Sequence, residues 1–191
     1  MGIIYLIRHG QCVDNVKHIL NGHHDTALTA LGKQQIKATA GKLTKAKIKK
    51  IYASPLKRTR QSAVIVAKVL GLKPSDIIYD LALIERDYGV LTGRPRKDLP
   101  LFARKILKTK EIDYFLDGRG VEPFPAVYRR AKKVLTKLRA VAKEGNVAVV
   151  THGDFGMMAR AVFKGWTWRR GLDAPYWGNA EIIALKTGGK K

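Results

Sequence analysis

Acidic residues are scarce in this chain of 191 residues. It has 15 Asp and Glu against 37 Lys and Arg, so its formal net charge is +22. Such a charge attracts anions and concentrates them near the surface. It does not identify the anion, because phosphorylated metabolites, nucleic acid and anionic lipid headgroups all carry negative charge. Lysines that only keep the protein soluble would give the same composition, so the charge leaves the partner open.

Cysteines and long apolar runs are also scarce. Cys12 is the only cysteine, so no intramolecular disulfide can form, which points to a reducing compartment. The first apolar run, residues 3–7, is interrupted by Arg8 and is too short for a signal-peptide core or a membrane span. We therefore expect a soluble, cytoplasmic protein with no membrane partner. None of these features determines the oligomeric state.

The order of apolar and polar segments predicts an α/β fold. With 46% hydrophobic residues, the chain is long enough for one well-buried core and short for two domains. We expect a single domain over residues 1–186 and a polar tail, TGGKK, at 187–191. Strands alternating with helices indicate a three-layer sandwich: a mainly parallel central sheet with helices on both faces. The predicted strands are 3–7, 50–54, 76–80, 146–152 and 182–186, and the predicted helices are 28–43, 55–72, 98–108, 123–144 and 154–165.

Charged side chains and histidines follow several of the predicted strands. Ligands of open α/β sheets bind beyond the carboxyl ends of the strands. Arg8 and His9 follow the first strand, Arg58 lies shortly after the second, and His152 follows the fourth. Glu85 comes after the third strand and a short loop. We expect these side chains, from four separate loops, to meet at one edge of the sheet.

This set of residue types suits phosphoryl transfer. Guanidinium groups match the charged oxygens of a phosphoryl group, and a neutral imidazole can attack phosphorus and carry it as phosphohistidine. Neighbouring cations lower the pKa of an imidazole and keep it nucleophilic. A carboxylic acid must then protonate the leaving alkoxide and later take a proton from water, and Glu85 is the best-placed candidate. Each residue alone has an ordinary structural explanation; the combination favours the chemistry.

Five segments of the chain resemble, in order, the motifs of the histidine phosphatase superfamily, the phosphoglycerate-mutase-like proteins. They are LIRHGQ, NGHHDTALTALGKQQ, ASPLKRTRQSA, LIERDYGVLTG and VVTHGDFG, and the match runs from residue 3 to about 160. The resemblance implies the phosphoglycerate-mutase-like fold and no need for a metal or organic cofactor. It implies that His9 is the phosphorylated nucleophile, with Glu85 as proton donor and Arg8, Arg58 and His152 around the phosphate.

The same resemblance implies a set of substrate-binding residues. These residues would line the substrate side of the site, and Gly153 would offer its backbone N–H to the substrate. The set is Gln11, Asn15, Asn21, Gly22 and Gly153.

The segment ERDYGVLTG leaves two activities open. It resembles the cofactor-dependent phosphoglycerate mutases, and that interpretation adds Arg86 and Tyr88 as substrate contacts. The stretch from Glu85 to His152 is short for the insertion with which mutases enclose bisphosphoglycerate. A more open site lets water attack the phosphohistidine. We therefore predict a metal-independent phosphomonoesterase that acts on a small phosphorylated substrate, with the mutase as the alternative.

Basic segments support a further alternative of a different class. With KAKIKK, KRTR, GRPRK and WTWRR, the chain could be a nucleic-acid-binding protein on a phosphatase scaffold. Packing of the last helix against the sheet would also explain the tryptophans, and we favour that interpretation. A narrower hypothesis is that Arg94, Arg96 and Lys97 contact a second anionic group of the substrate. A metal site at residues 23–25, His-His-Asp, is disfavoured because no further ligands are evident.

Overall fold

A five-stranded sheet forms the centre of the protein, which we describe from a computed structural model covering residues 2–187. The strands are β1 (Ile3–Arg8), β2 (Ile48–Ala53), β3 (Ile77–Tyr79), β4 (Ile106–Lys108), β5 (Asp113–Phe115), β6 (Asn146–Thr151) and β7 (Ile182–Lys186). The central sheet has the order β3-β2-β6-β1-β7, and β4 and β5 form a separate antiparallel hairpin. All neighbours in the central sheet are parallel except β7, which runs antiparallel to β1.

Helices cover both faces of this sheet. They are α1 (Val13–Val16), α2 (Ala30–Gly41), α3 (Lys57–Leu70), α4 (Leu99–Phe102), α5 (Phe124–Val141), α6 (Gly153–Lys164) and α7 (Trp168–Asp173). Side chains alternate between faces along a strand, so Ile4 and Leu6 of β1 join the core beneath α5 and α6, whereas Ile7 joins the core beneath α2 and α3. The predicted three-layer α/β architecture is confirmed.

Two helix ends are fixed by the capping residues that the sequence predicts. The hydroxyl of Thr29 accepts a hydrogen bond from the backbone N–H of Gly32 at 3.0 Å and begins α2. Gly71 adopts a left-handed conformation, φ 69°, and ends α3. The predicted strands and these two helices are found within a few residues of their expected bounds.

The predicted helix over residues 98–108 is wrong. Only the short α4 forms there, and the chain then turns into the β4–β5 hairpin. The hydroxyl of Thr109 donates to the carbonyl of Ile112 and closes the hairpin loop, and Ile106 pairs with Phe115 across the hairpin. The sequence reasoning also missed α7, whose first turn is capped by Thr167. Tertiary pairing overrides helical periodicity in such short segments.

No helix among residues 2–187 is long and apolar enough to cross a membrane. Residues 188–191 of the predicted polar tail lie outside the described residues, and a single domain over 1–186 stays a prediction.

Candidate active site

Two histidines lie side by side at the carboxyl ends of the central strands. β1 and β6 are parallel neighbours with Arg8 opposite Thr151, so His9 and His152 leave the sheet at the same level. Their ring centroids are 5.3 Å apart. His9 is 3% exposed and His152 is fully buried. The sheet register therefore brings together two residues that are far apart in the sequence.

The hydrogen bonds of His9 define which of its nitrogens can react. Its Nδ1 lies 2.8 Å from the carbonyl oxygen of Gly10, and because a carbonyl only accepts, Nδ1 carries the proton. The lone pair is then on Nε2. Burial, together with the positive charges of Arg58 and Arg8, lowers the pKa of His9 well below its ordinary value. His9 is thus a neutral imidazole with a nucleophilic Nε2.

Two buried arginines flank this histidine. Arg58 is held by the backbone, since its Nη1 donates to the carbonyl of His24 at 2.7 Å and its Nη2 to the carbonyl of Gly22 at 2.9 Å. Arg8 donates through Nη1 to the carbonyl of Trp177. Carbonyl oxygens position the guanidinium groups without neutralising them, so both positive charges remain available to an anion.

Three buried donors around His9 have no partner within residues 2–187. They are Nε of Arg8 and Nε of Arg58, together with Nδ1 of His152 in the tautomer whose Nε2 accepts from the Ser54 hydroxyl. The other nitrogen of His152, Nε2, lies 2.7 Å from the hydroxyl of Ser54 at the end of β2. Buried polar groups are normally paired, and a cluster of unpaired donors is a strong sign that a ligand supplies the acceptors. A tetrahedral oxyanion has the charge and the number of acceptors required.

The carboxyl group of Glu85 is buried against the amino end of helix α6. Its Oε1 accepts from the backbone N–H groups of Arg86 at 2.9 Å and Phe155 at 3.0 Å, whereas Oε2 accepts only a 3.3 Å bond from Asp154. Burial and the nearby charge of Asp154 raise the pKa of Glu85, although these donors and Arg58 oppose the shift. Because Oε1 is occupied twice, a proton belongs on Oε2. Glu85 has the properties of a general acid.

A cavity of about 350 Å³ opens above these groups. His9, Arg8 and Glu85 form part of its wall, and Arg58 and His152 lie behind His9 without lining it. Of the other residues expected to bind substrate, three line the cavity. They are Asn15, Asn21 and Tyr88.

Gln11 and Arg86, which were expected to contact the substrate, do not line the cavity. The amide oxygen of Gln11 accepts from the hydroxyl of Thr29 at 2.8 Å, so this side chain supports the start of α2. Arg86 is completely buried, with its guanidinium 4.0 Å from the ring centre of Phe124 and its Nε 2.9 Å from a carboxylate oxygen of Asp154. Arg86 is therefore enclosed by its neighbours, whereas the side chain of Gln11 is partly exposed and is engaged at the start of α2.

Two of the predicted glycines act through close approach of the backbone. Gly22 has φ +44°, and its carbonyl accepts a hydrogen bond from Arg58. It positions this arginine and is not part of the cavity wall. Gly153 is the first residue of α6, and a Cβ there would lie 2.8 Å from the hydroxyl of Tyr176. A side chain at either position would displace a part of the site.

Sequence reasoning missed the wall contributed by residues 176–179. Tyr176, Gly178 and Asn179 line the cavity, and the Asn179 amide donates to the carbonyl of His9 at 3.1 Å and to Asn15 Oδ1 at 3.2 Å. These residues precede β7, which runs antiparallel to the rest of the sheet. The amino end of β7 therefore lies at the edge where the parallel strands have their carboxyl ends.

The three residues considered for metal binding have separate partners. His23 Nε2 lies 2.9 Å from the carbonyl of Glu85, His24 Nδ1 lies 2.8 Å from Asp14, and Asp25 accepts from the backbone of Lys57. In the part of the chain that the structure describes, no three histidine, cysteine or carboxylate side chains are grouped as a metal site.

The tryptophans of the basic C-terminal segment are used in packing. Trp177 is buried and donates to the carbonyl of Glu181 at 3.0 Å. Trp168 stacks on Phe124 at a centroid distance of 6.2 Å, and its other neighbour is the guanidinium of Arg169 at 4.6 Å. These contacts support the packing interpretation of the aromatic residues.

Comparison with known proteins places these observations in a family. The family model described as "Histidine phosphatase superfamily (branch 1)" matches residues 4–191. The chain is 40% identical over 152 residues to the Escherichia coli protein named "Probable phosphoglycerate mutase GpmB", covering 78% of this chain and 69% of that protein. It is 36% identical over 116 residues to the Schizosaccharomyces pombe protein named "Probable phosphatase C1687.21", covering 60% of this chain and 52% of that protein.

Solved structures show the same fold. A mycobacterial glucosyl-3-phosphoglycerate phosphatase superposes with a TM-score of 0.82 at 23% identity, over 97% of this chain and 91% of that chain. The protein from Bacillus stearothermophilus named YhfR gives a TM-score of 0.81 at 23% identity, over 96% of this chain and 90% of that chain. The chain spans 43–66% of the length of the first three curated relatives.

Proposed function

The chain belongs to the histidine phosphatase superfamily, branch 1, and on that basis we propose that it is a metal-independent phosphomonoesterase acting through a phosphohistidine on His9. One observation carries the proposal: the three unpaired buried donors of Arg8, Arg58 and His152 surround a neutral His9. They supply the positive charge and the hydrogen bonds that a phosphoryl group needs.

The first chemical step transfers the phosphoryl group to the protein. The phosphate of the substrate binds at Arg8 beside His9, where the positive charge of the buried Arg58 also stabilises it. Nε2 of His9 then attacks phosphorus in line with the ester oxygen. The N–P bond forms as the P–O bond breaks. Glu85 gives the proton on Oε2 to the departing alkoxide, so the alcohol leaves uncharged.

The second step returns the protein to its starting state. Water enters beside Glu85, whose carboxylate takes a proton from it, and the oxygen attacks the phosphorus of phosphohistidine. The N–P bond breaks, inorganic phosphate forms, and Glu85 is protonated again. The carbonyl of Gly10 holds the Nδ1 proton throughout, so the ring always presents Nε2 to phosphorus.

A phosphoglycerate mutase is the second candidate, and the position of Arg86 argues against it. That activity was expected to use Arg86 and Tyr88 as substrate contacts. Tyr88 lines the cavity, but Arg86 is enclosed by Phe115, Phe124 and Asp154. The curated relatives include proteins named for each activity.

A panel of phosphomonoesters assayed in the presence of a metal chelator tests the proposal. With 3-phosphoglycerate, both phosphate release and formation of the 2-isomer are measured. We expect phosphate release without isomerisation, and we expect His9→Ala to lower kcat/KM by more than about a thousandfold while circular dichroism and thermal unfolding stay unchanged. Isomerisation stimulated by 2,3-bisphosphoglycerate would instead establish the mutase.

A further inference from the structure

A second depression adjoins the active-site cavity. It is a groove of about 880 Å³ between residues 96–100 and the β4–β5 hairpin. Arg96 and Ile112 line both the groove and the cavity. The two spaces are therefore neighbours that share these two side chains.

The groove is rich in unpaired positive charge. Its cationic residues are Arg96, Lys97, Lys108 and Lys110, and all four are exposed. Within residues 2–187, none of the three lysines forms a salt bridge; the two lysines that do so are Lys50 and Lys137, elsewhere in the fold.

The two carboxylates of the groove do not cancel this charge. Glu111 accepts a hydrogen bond from the backbone N–H of Tyr176 at 2.8 Å, which ties it to the wall of the cavity. Asp113 contributes its backbone carbonyl, which accepts from Arg96 Nη1 at 3.2 Å. Four cations against two anions leave an excess of positive charge along the path out of the active site.

Apolar side chains line the groove between the charges. They are Leu99, Pro100, Ile106 and Ile112. A carbon framework can lie on this surface while anionic substituents reach the lysines. The combination distinguishes the groove from a uniformly solvated basic face.

We propose that this groove binds the leaving group of the substrate, and that the substrate is a phosphomonoester whose leaving group carries further phosphate-type anions. This inference rests on the proposed function, because it requires the reacting phosphate to lie on His9. Arg8 and Arg58 then neutralise the first phosphate, Arg96 contacts the leaving group as it crosses into the groove, and the lysines bind the more distant anions.

Competitive inhibition of p-nitrophenyl phosphate hydrolysis tests the groove. The probes are orthophosphate, which fills only the pocket at His9, and tripolyphosphate, which carries further anions along a chain. The groove variant is Lys97→Gln, Lys108→Gln and Lys110→Gln combined. The matched control, Lys33→Gln, Lys37→Gln and Lys45→Gln, removes the same charge from exposed lysines that line none of these spaces.

We expect tripolyphosphate to inhibit competitively and at least about tenfold more tightly than orthophosphate, since each exposed charge pair contributes up to about a fivefold factor. The preference should disappear in the groove variant and persist in the control, with kcat for p-nitrophenyl phosphate and inhibition by orthophosphate unchanged in both. Noncompetitive inhibition, or equal loss of the preference in both variants, would overturn the inference.

Calorimetry separates this inference from the proposed function. Binding of orthophosphate and tripolyphosphate to the wild-type protein can be titrated without turnover. If no phosphomonoester is hydrolysed, the proposed function fails. If hydrolysis occurs and the two anions bind equally well, only the inference about the groove fails.

Discussion

His9 and Arg96 line the same cavity but are held in very different ways. His9 is 3% exposed, sits at the end of a central strand and is fixed by a hydrogen bond to the adjacent backbone. Arg96 is exposed and belongs to the cover, by which we mean residues 89–121. This region contains short 3-10 turns, the one-turn helix α4 and one small hairpin. The sheet builds the phosphate pocket, whereas the cover forms the side from which the leaving group departs.

This difference predicts how each region responds to substitution. In the pocket, buried charges and close backbone contacts leave little room for change, so effects should be large. In the cover, exposed side chains in weakly constrained elements should alter substrate preference and leave stability nearly unchanged. Experiments that reverse this order would break the comparison.

After the replacement of His9, the largest effect is expected at Glu85. Glu85→Gln removes the proton donor and should lower kcat about a hundredfold or more for an alkyl phosphate. The loss should be smaller for p-nitrophenyl phosphate, because nitrophenolate leaves without protonation. Steady-state rates on both substrates check this prediction. Equal losses on the two would argue against a role in leaving-group protonation.

The next effect concerns stability and contrasts the two regions directly. A Cβ at Gly156 would lie 1.8 Å from the indole ring of Trp177, whose carbonyl positions Arg8. Gly156→Ala should therefore lower the free energy of unfolding by about 2 kcal/mol or more. Leu101 in the cover is 77% exposed, and Leu101→Ala should change the free energy of unfolding by less than about 0.5 kcal/mol. Urea unfolding of both variants provides the measurement, and similar values would contradict the contrast.

The smallest effect is a dependence of stability on pH. Burial and the positive charges of Arg58 and Arg8 lower the pKa of His152 well below its ordinary value. As pH falls below about 6.5, the unfolded state therefore binds a proton that the folded state resists, and stability is lost at up to about 1.4 kcal/mol per pH unit for this residue. Urea unfolding between pH 7.5 and 5.5 should show a shallower loss for His152→Asn than for the wild type. Identical slopes would show that His152 is not held neutral.

The same contrast explains what the sequence could predict. The residues at the carboxyl ends of β1, β2 and β6 were predictable, because strand periodicity fixes where a strand ends and parallel strands end at one edge. The hairpin after α4 was not, since its three-residue strands are defined by the pairing of Ile106 with Phe115 and by the Thr109 loop. Asn179 was missed because only the antiparallel direction of β7 brings it to the site.

The positions of Gln11 and Arg86 outside the lining of the cavity could not be read from a motif either. Both lie next to residues of the cavity, and a motif shows that a side chain is near a site without showing which way it points. Arg86 lies behind Tyr88 and Glu85, where it pairs with Asp154 and packs on aromatic rings.

Trapping the covalent intermediate shows whether His9 carries the phosphoryl group during turnover. The protein is mixed with a ³²P-labelled phosphomonoester, quenched in alkali within the first turnover and digested, and the labelled peptide is sequenced by mass spectrometry. We predict one phosphoryl group on His9, stable to base and labile to acid, formed and lost at rates no slower than kcat and absent in His9→Ala. Turnover without label on His9, or label on another residue formed at the rate of turnover, would contradict it.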